Sequence, residues 1–208
     1  MQDHTHWTVD DFLDRVAART PTPGGGGVTG LAGALSCAMA RMVAAFSVKK
    51  STPEADRAEV ERFAGELARA DGLMRALITR DAMVYERMVD SARRLREDPS
   101  HAKAHQDTVL EAIGVPMQMA ATVHAALVVM DHLKDRANPM ILSDLAIAAT
   151  LAEAVARSAE FTVAANIADV ADATVRERIR HDVMAIETHC RSVADRVVDF
   201  VRDRLDKN

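Results

Sequence analysis

Apolar residues recur every three or four positions along most of the chain, and short polar or proline-bearing breaks divide that pattern into six segments. Val9, Phe12, Leu13, Val16 and Ala17 form one face of a first helix over about 9–19. Thr8 is placed to cap it, with Asp10 and Asp11 in its first turn. Pro21, Pro23 and the run Gly24–Gly27 then break the pattern. The second segment, about 28–49, is apolar on most sides. Gly30, Gly33, Ala34, Cys37, Ala38, Ala40, Ala44 and Ala45 put small side chains on adjoining faces, which predicts a helix at the centre of a bundle or in a subunit interface. Ser51-Thr52-Pro53-Glu54 has capping-box spacing and a proline suited to a first helical position, and the stripe Val60, Phe63, Leu67, Met74, Leu77, Ile78, Val84, Met88 carries a third helix to about 96. Ser100 is placed to cap a fourth helix reaching about 135, with a kink expected at Pro116, whose ring removes a backbone donor. After Asn138-Pro139, Ser143 or Asp144 starts an alanine-rich fifth helix to about 168, and a sixth covers about 173–205. Strand patterning is nearly absent. The expected fold is all-α: a single domain over 1–208, a bundle of about six long helices with a central, buried, small-residue helix.

Composition sharpens this picture. Apolar residues make up 49% of the chain but aromatics only 3%, so the core must be built from Ala, Val, Leu and Met, which suits close helix-on-helix packing better than a β-sandwich. A net charge of -5 without a long basic run argues against nucleic acid as a partner. The apolar run over 28–48 is interrupted by Ser36, Arg41 and Ser47, which favours a buried helix over a membrane span. The first residues are polar and acidic, unlike a signal peptide, and a cytoplasmic location is expected. Cys37 and Cys190 lie far apart, HExxH is missing, and His101/His105 has helical spacing but no fitting acid, so no metal site is expected.

Five groups of residues can carry chemistry. Gly24, Gly25, Gly26 and Gly27 stand where helix propensity disfavours glycine. Read as a loop, they take backbone shapes closed to other residues and present amide N–H groups beside a helix N-terminus, suited to a carboxylate, a phosphate or a flat polar ring. They match neither a dinucleotide fingerprint nor a phosphate-binding loop, and a tight crossing without side chains explains them equally well. Asp81 lies on the apolar stripe of the third helix, with Tyr85 one turn on. It is either a carboxylate turned inward, needing a partner or a raised pKa, or an exposed acid beside Arg80 and Glu86. Asn138, Ser143 and Asp144 cluster at a loop and helix start, where capping accounts for one of the last two but hardly both. Asn166 follows alanines on the fifth helix and is either a helix–helix tie or a ligand contact. Lys49 and Lys50 close the second helix, well placed for its C-terminus or for an anionic tail.

These groups share a context. TPTPGGGGVTGLAGALSCAMARMV, VKK at 48–50, RDAMVY at 80–85, GVPMQMA at 114–120 and NPMILSD at 138–144 together resemble the cyclodeaminase/cyclohydrolase family of tetrahydrofolate enzymes, over about 9–180. That family includes stand-alone methenyltetrahydrofolate cyclohydrolases and the C-terminal domain of formiminotransferase-cyclodeaminase. The resemblance implies an all-helical homodimer with a folate site in a groove near the subunit interface, and no cofactor or metal beyond the folate substrate. Departures are Val84 for a usual Ala, Thr162 for a frequent Asn, and Ser51 for a third lysine.

Carried over by position, the resemblance implies substrate binding by Gly24–Gly27, Lys49, Lys50, Asn138 and Asn166, with Tyr85 beside them. Asp81 or Asp144 would act as the acid–base and cation-stabilising carboxylate, with Ser143 orienting pterin or water. The expected reaction is hydrolysis of 5,10-methenyltetrahydrofolate to 10-formyltetrahydrofolate. Formiminotetrahydrofolate cyclodeaminase, releasing ammonia, is the alternative, and a non-catalytic folate- or protein-binding dimer is a third.

Overall fold

Six helices account for most of residues 6–207, the part of the chain that the computed structural model describes: α1 Val9–Ala17, α2 Gly25–Ser47, α3 Glu54–Glu97, α4 Ala102–Leu133, α5 Leu142–Asn166 and α6 Ala173–Leu205. Single 3₁₀ turns precede α4 and α5 and follow α5, and no strand occurs among the described residues. The expected all-α bundle is therefore what the chain forms. The start of the polar N-terminal stretch, residues 1–5, lies outside the described residues.

α2 packs against α3 and α5 and more lightly against α4. α4 packs against α3, α5 and α6, and α5 lies along α6. Missing side chains on α2 set the closest of these approaches. A Cβ on Gly30 would stand 2.7 Å from Ile78 Cγ1, and one on Gly33 would overlap the Met74 side-chain tip, so α3 lies directly on the α2 backbone. On the α5 side, the buried Ser36 hydroxyl donates to the Ala148 carbonyl at 2.8 Å. Ala148, Ala149, Ala152, Ala156 and Ala159 of α5 are fully buried, which is how a chain poor in aromatics fills its core. Buried Asp71 of α3 takes Arg41 of α2 and Arg75 of its own helix, each at 2.7 Å, and pins α2 to α3.

At three helix starts, those of α3, α4 and α5, the side chain expected to cap does not. α1 begins as expected: Thr8 caps it, and Asp11 completes a capping box. α3 begins at Glu54 with Pro53 as its N-cap, and Ser51 makes no cap. Ser100 does not cap α4, because Asp98 instead accepts from the Ser100 N–H to start a 3₁₀ turn. Neither Ser143 nor Asp144 caps α5: Asn138 caps the 3₁₀ turn that feeds it, and the helix starts at Leu142. α4 continues through Pro116, which is buried within it.

α2 is also not enclosed on every side. Val28, Leu35, Met42 and Phe46 face outward at spacings of seven, seven and four, on the side where Met140 of the 3₁₀ turn before α5 and Ile147 of α5 are also exposed. By length and hydropathy Gly25–Ser47, Pro99–Leu133 and Pro139–Asp169 are each apolar enough to cross a membrane. In the fold these three segments pack on one another, which accounts for much of that apolarity.

The glycine contacts give a paired prediction. Gly30→Val destabilises by about 2 kcal/mol through overpacking against Ile78. Gly72→Ala stabilises by about 0.5–1 kcal/mol, because Gly72 is exposed mid-helix with nothing near its Cβ position. Urea unfolding of both variants checks the signs.

Candidate functional site

The approach to α2, the middle of α3 and the end of α5 enclose a cavity of about 370 Å³. Pro21, Thr22 and Gly24–Gly26 form one wall; Asp81, Val84, Tyr85 and Met88 a second; Phe161, Thr162, Ala165 and Asn166 a third; and Ala112 of α4 closes the end. No Lys, Arg or His lines it, and Asp81 is its one carboxylate.

Asp81 is placed by the glycine run. The N-cap of α2 is Gly24, which has no side chain to cap with. Asp81 reaches across from α3, and the Gly27 N–H donates to its carboxylate. A carboxylate from another helix thus sits at the positive end of α2, where a capping acid would stand. Gly26 makes this possible, since its Cβ would occupy the space that the Asp81 carboxylate fills. At Gly25 the same position is open, facing the cavity.

This corrects the expected conformation of the glycines. Gly25, Gly26 and Gly27 form the first turn of α2, which therefore starts three residues earlier than the periodicity indicated. No described glycine has a positive φ. Absence of side-chain volume, not backbone freedom, is what Gly26 contributes, and the Gly27 amide is turned to the protein's own carboxylate.

Two forces oppose each other at Asp81. Burial pushes its carboxyl above the usual value of 3.8, and the Gly27 N–H pulls it back, with burial the larger. The polar groups on α5 are held in set directions. Asn166 Nδ2 donates to the Thr162 carbonyl at 2.9 Å, which leaves its Oδ1 as a free-standing acceptor type, and Thr162 Oγ1 donates to Ser158 O at 3.2 Å.

Of the candidate residues, Gly24, Gly25, Gly26, Asp81, Tyr85 and Asn166 border this cavity, with Gly27 directly behind it. Lys49, Lys50, Asn138, Ser143 and Asp144 do not: Lys49, Lys50 and Asn138 stand at the far end of α2, about 33 Å along its axis from Gly25, and Ser143 and Asp144 lie in the first turn of α5 that follows. There Asn138 holds the loop together. Its N–H donates to Ser47 Oγ at 3.0 Å, its Nδ2 to Phe46 O at 3.2 Å, and its Oδ1 accepts from the Met140 N–H at 3.1 Å. The Lys49 N–H donates to Thr52 Oγ1 at 2.8 Å, and both lysine side chains are exposed.

Phe161 and Met88 also line the cavity, although neither stands among the candidate residues of the sequence. For Phe161 a signal existed: it is the one aromatic residue in α5, close before Asn166 on the same helix.

The chain and its fold have relatives among known proteins. A family model described as formiminotransferase-cyclodeaminase matches residues 8–185. The formimidoyltransferase-cyclodeaminase of Sus scrofa is 28% identical over 98% of the chain, and that of Rattus norvegicus 25% identical over 93%. The chain spans 38% and 36% of those two proteins, little more than a third of their length. A methenyltetrahydrofolate cyclohydrolase of Methylorubrum extorquens is 23% identical over 95% of the chain and 97% of its own length. The solved structure of a formiminotetrahydrofolate cyclodeaminase from Thermotoga maritima superposes with a TM-score of 0.87 at 27% identity, covering 96% of this chain and 98% of that one.

Asp81→Asn tests the electrostatics without chemistry. A raised carboxyl pKa means that the folded state holds its proton more tightly than the unfolded chain. Wild-type stability relative to the Asn variant therefore falls as pH rises from about 3.8 to the raised native value, then levels off. Thermal unfolding of both proteins across acidic and neutral pH shows that divergence, and parallel curves would contradict it.

Proposed function

Because the chain belongs to the formiminotransferase-cyclodeaminase family, we propose that it is an enzyme acting on the one-carbon bridge of tetrahydrofolate, with cyclodeamination of 5-formiminotetrahydrofolate as its first reaction. One observation carries the chemistry: Asp81 is a carboxylate without a cationic lining partner, held in a largely apolar cavity at the end of a helix. Such a site has a vacancy for positive charge, and amidinium-like carbon is the reacting centre of this substrate.

In the deaminase reaction N10 attacks the protonated formimino carbon attached to N5. A tetrahedral centre forms that carries the amino group. Asp81 takes the proton released from N10 and delivers it to that amino group, whose bond to carbon then breaks as ammonia leaves. The remaining N5–C–N10 bridge bears one positive charge, as the reactant did, and the carboxylate faces it throughout. A raised pKa suits a group that accepts and returns a proton within one turnover. Asn166 and Tyr85 border the space for the bicyclic ring.

The family model, the mammalian proteins and the Thermotoga maritima structure weigh toward the deaminase, which the sequence reading placed second. The end-to-end match to the Methylorubrum extorquens protein favours the cyclohydrolase as the other reading. Water would then add to the bridging carbon, with Asp81 taking one of its protons and passing it to the ring nitrogen released, while the remaining hydroxyl proton leaves to solvent as the formyl C=O forms.

Lys49, Lys50, Ser143 and Asp144 enter through a second copy. α2 and α5 run antiparallel, so their outward apolar stripe joins the cavity at one end to these residues at the other. A two-fold axis through the middle of that stripe sets the lysine end of one subunit beside the cavity of its partner. The lysines then meet the glutamate carboxylates of the substrate, with Ser143 and Asp144 at the rim. The working form is a cytoplasmic homodimer.

The deciding assay follows ammonia release from 5-formiminotetrahydrofolate and decay of 5,10-methenyltetrahydrofolate in parallel. Ammonia release is the expected outcome, with kcat falling about 10²–10⁴-fold in Asp81→Asn. Methenyl decay alone assigns the cyclohydrolase, and neither reaction in folded protein rejects the enzyme. For the dimer, Leu35→Glu gives a monomer in sedimentation and loses activity. An intact dimer in that variant would remove this face from the interface.

A further inference from the structure

The cavity sits at the lower end of the roughly 300–1,000 Å³ typical of small-molecule sites. With the reacting carbon at Asp81 it takes the bicyclic ring and the one-carbon bridge. The aryl ring of the substrate is bonded directly to N10, one of the two nitrogens that the reacting carbon joins. It therefore lies next to the carboxylate but toward the cavity mouth.

Phe161 stands at that mouth, bordering the cavity yet 65% exposed. This chain has few aromatic residues, and several others are engaged elsewhere in the fold. Trp7 and Phe12 face each other, Phe63 stacks on His132, and Phe200 lies under Lys134 and Arg204. Phe161 sits on the same stretch of α5 as Thr162 and Asn166, across the cavity from Tyr85. An open aromatic face beside a substrate ring gains both apolar burial and ring stacking, with centroids ~4.5–7 Å apart.

We propose that Phe161 is the platform for the aryl ring carried on N10, and so a specificity-determining residue that distinguishes a tetrahydrofolate from a bare tetrahydropterin. The proposal rests on the folate reading above. Neither charge nor hydrogen bonding is asked of Phe161: it selects for the presence of a second flat ring next to the reacting centre, while the bicyclic head is held by α3 and α2.

The test uses two stable ligands with the same head. 5-Formyltetrahydrofolate carries the aryl-glutamate tail and 5-formyl-6-methyltetrahydropterin lacks it. Calorimetric affinities of both are measured for wild type, Phe161→Leu and Phe161→Trp, with oligomeric state checked by sedimentation. Phe161→Leu should bind the folate about 3–10-fold more weakly and the pterin unchanged, and Phe161→Trp should restore folate binding. Equal losses for the two ligands, or no loss for either, would overturn the proposal. So would a Phe161→Leu protein that falls apart into monomers, since Phe161 would then belong to the subunit contact. Wild type that binds neither ligand would reject the folate reading itself, whereas wild type that binds both equally rejects only the role of Phe161.

Discussion

One contact organises this molecule: the Asp81 carboxylate of α3 seated at the glycine-built N-terminus of α2. It satisfies an end of α2 that has no side-chain cap of its own. It also fixes how α3 and α2 meet, because the carboxylate needs the room that a side chain at Gly26 would take. Further along the same helix pair, Gly30 and Gly33 admit Ile78 and Met74, and Arg41 reaches Asp71. The small residues of α2 thus form a continuous seat for α3, with charge at two points and apolar contact between them. The first of those points opens to a cavity and the second does not.

That difference separates structure from function. Asp71 is buried but answered by two guanidinium groups, so its charge is balanced inside the protein. Asp81 receives one backbone N–H and faces a cavity with no cationic residue in its walls. Burial raises its pKa because the fold leaves the charge under-compensated, and in the proposed reaction the cationic one-carbon centre makes up the balance. A site that is electrostatically incomplete when empty stabilises a cation more than a site already neutralised. The lost stability stays small, since the end of α2 supplies part of the compensation.

The helices were largely legible in the sequence because periodicity in long apolar segments reports burial, and burial was decided by helix packing. Helix starts were less legible. Ser51, Ser100, Ser143 and Asp144 have the residue types of caps, yet 3₁₀ turns led by Asp98 and Asn138 took over that work near α4 and α5. The glycine run looks like a loop in the sequence because each glycine disfavours helix locally. The acid that offsets this penalty comes from a residue more than fifty positions away, which no local rule sees. Asp81 was visible as a carboxylate on an apolar stripe, and its proximity to the glycines followed only from the fold. Lys49, Asn138, Ser143 and Asp144 entered as one site with Asp81 through motif resemblance. The structure separates the two groups along α2 within a chain, and the homodimer proposed above joins them through a symmetry that a single sequence does not encode in its periodicity.

The proposed role of Asp81 depends on its charge being under-compensated in the empty cavity. Its carboxyl pKa, measured by ¹³C NMR titration of the ligand-free protein with Asp81→Asn for assignment, tests this most directly. A midpoint above 3.8 is expected, moving back toward that value in Gly26→Ala, where the added methyl drives the carboxylate out of its seat toward water. A midpoint at or below 3.8 in the wild-type protein would show that the helix end, or a partner charge, already satisfies Asp81, and would contradict the role assigned to it.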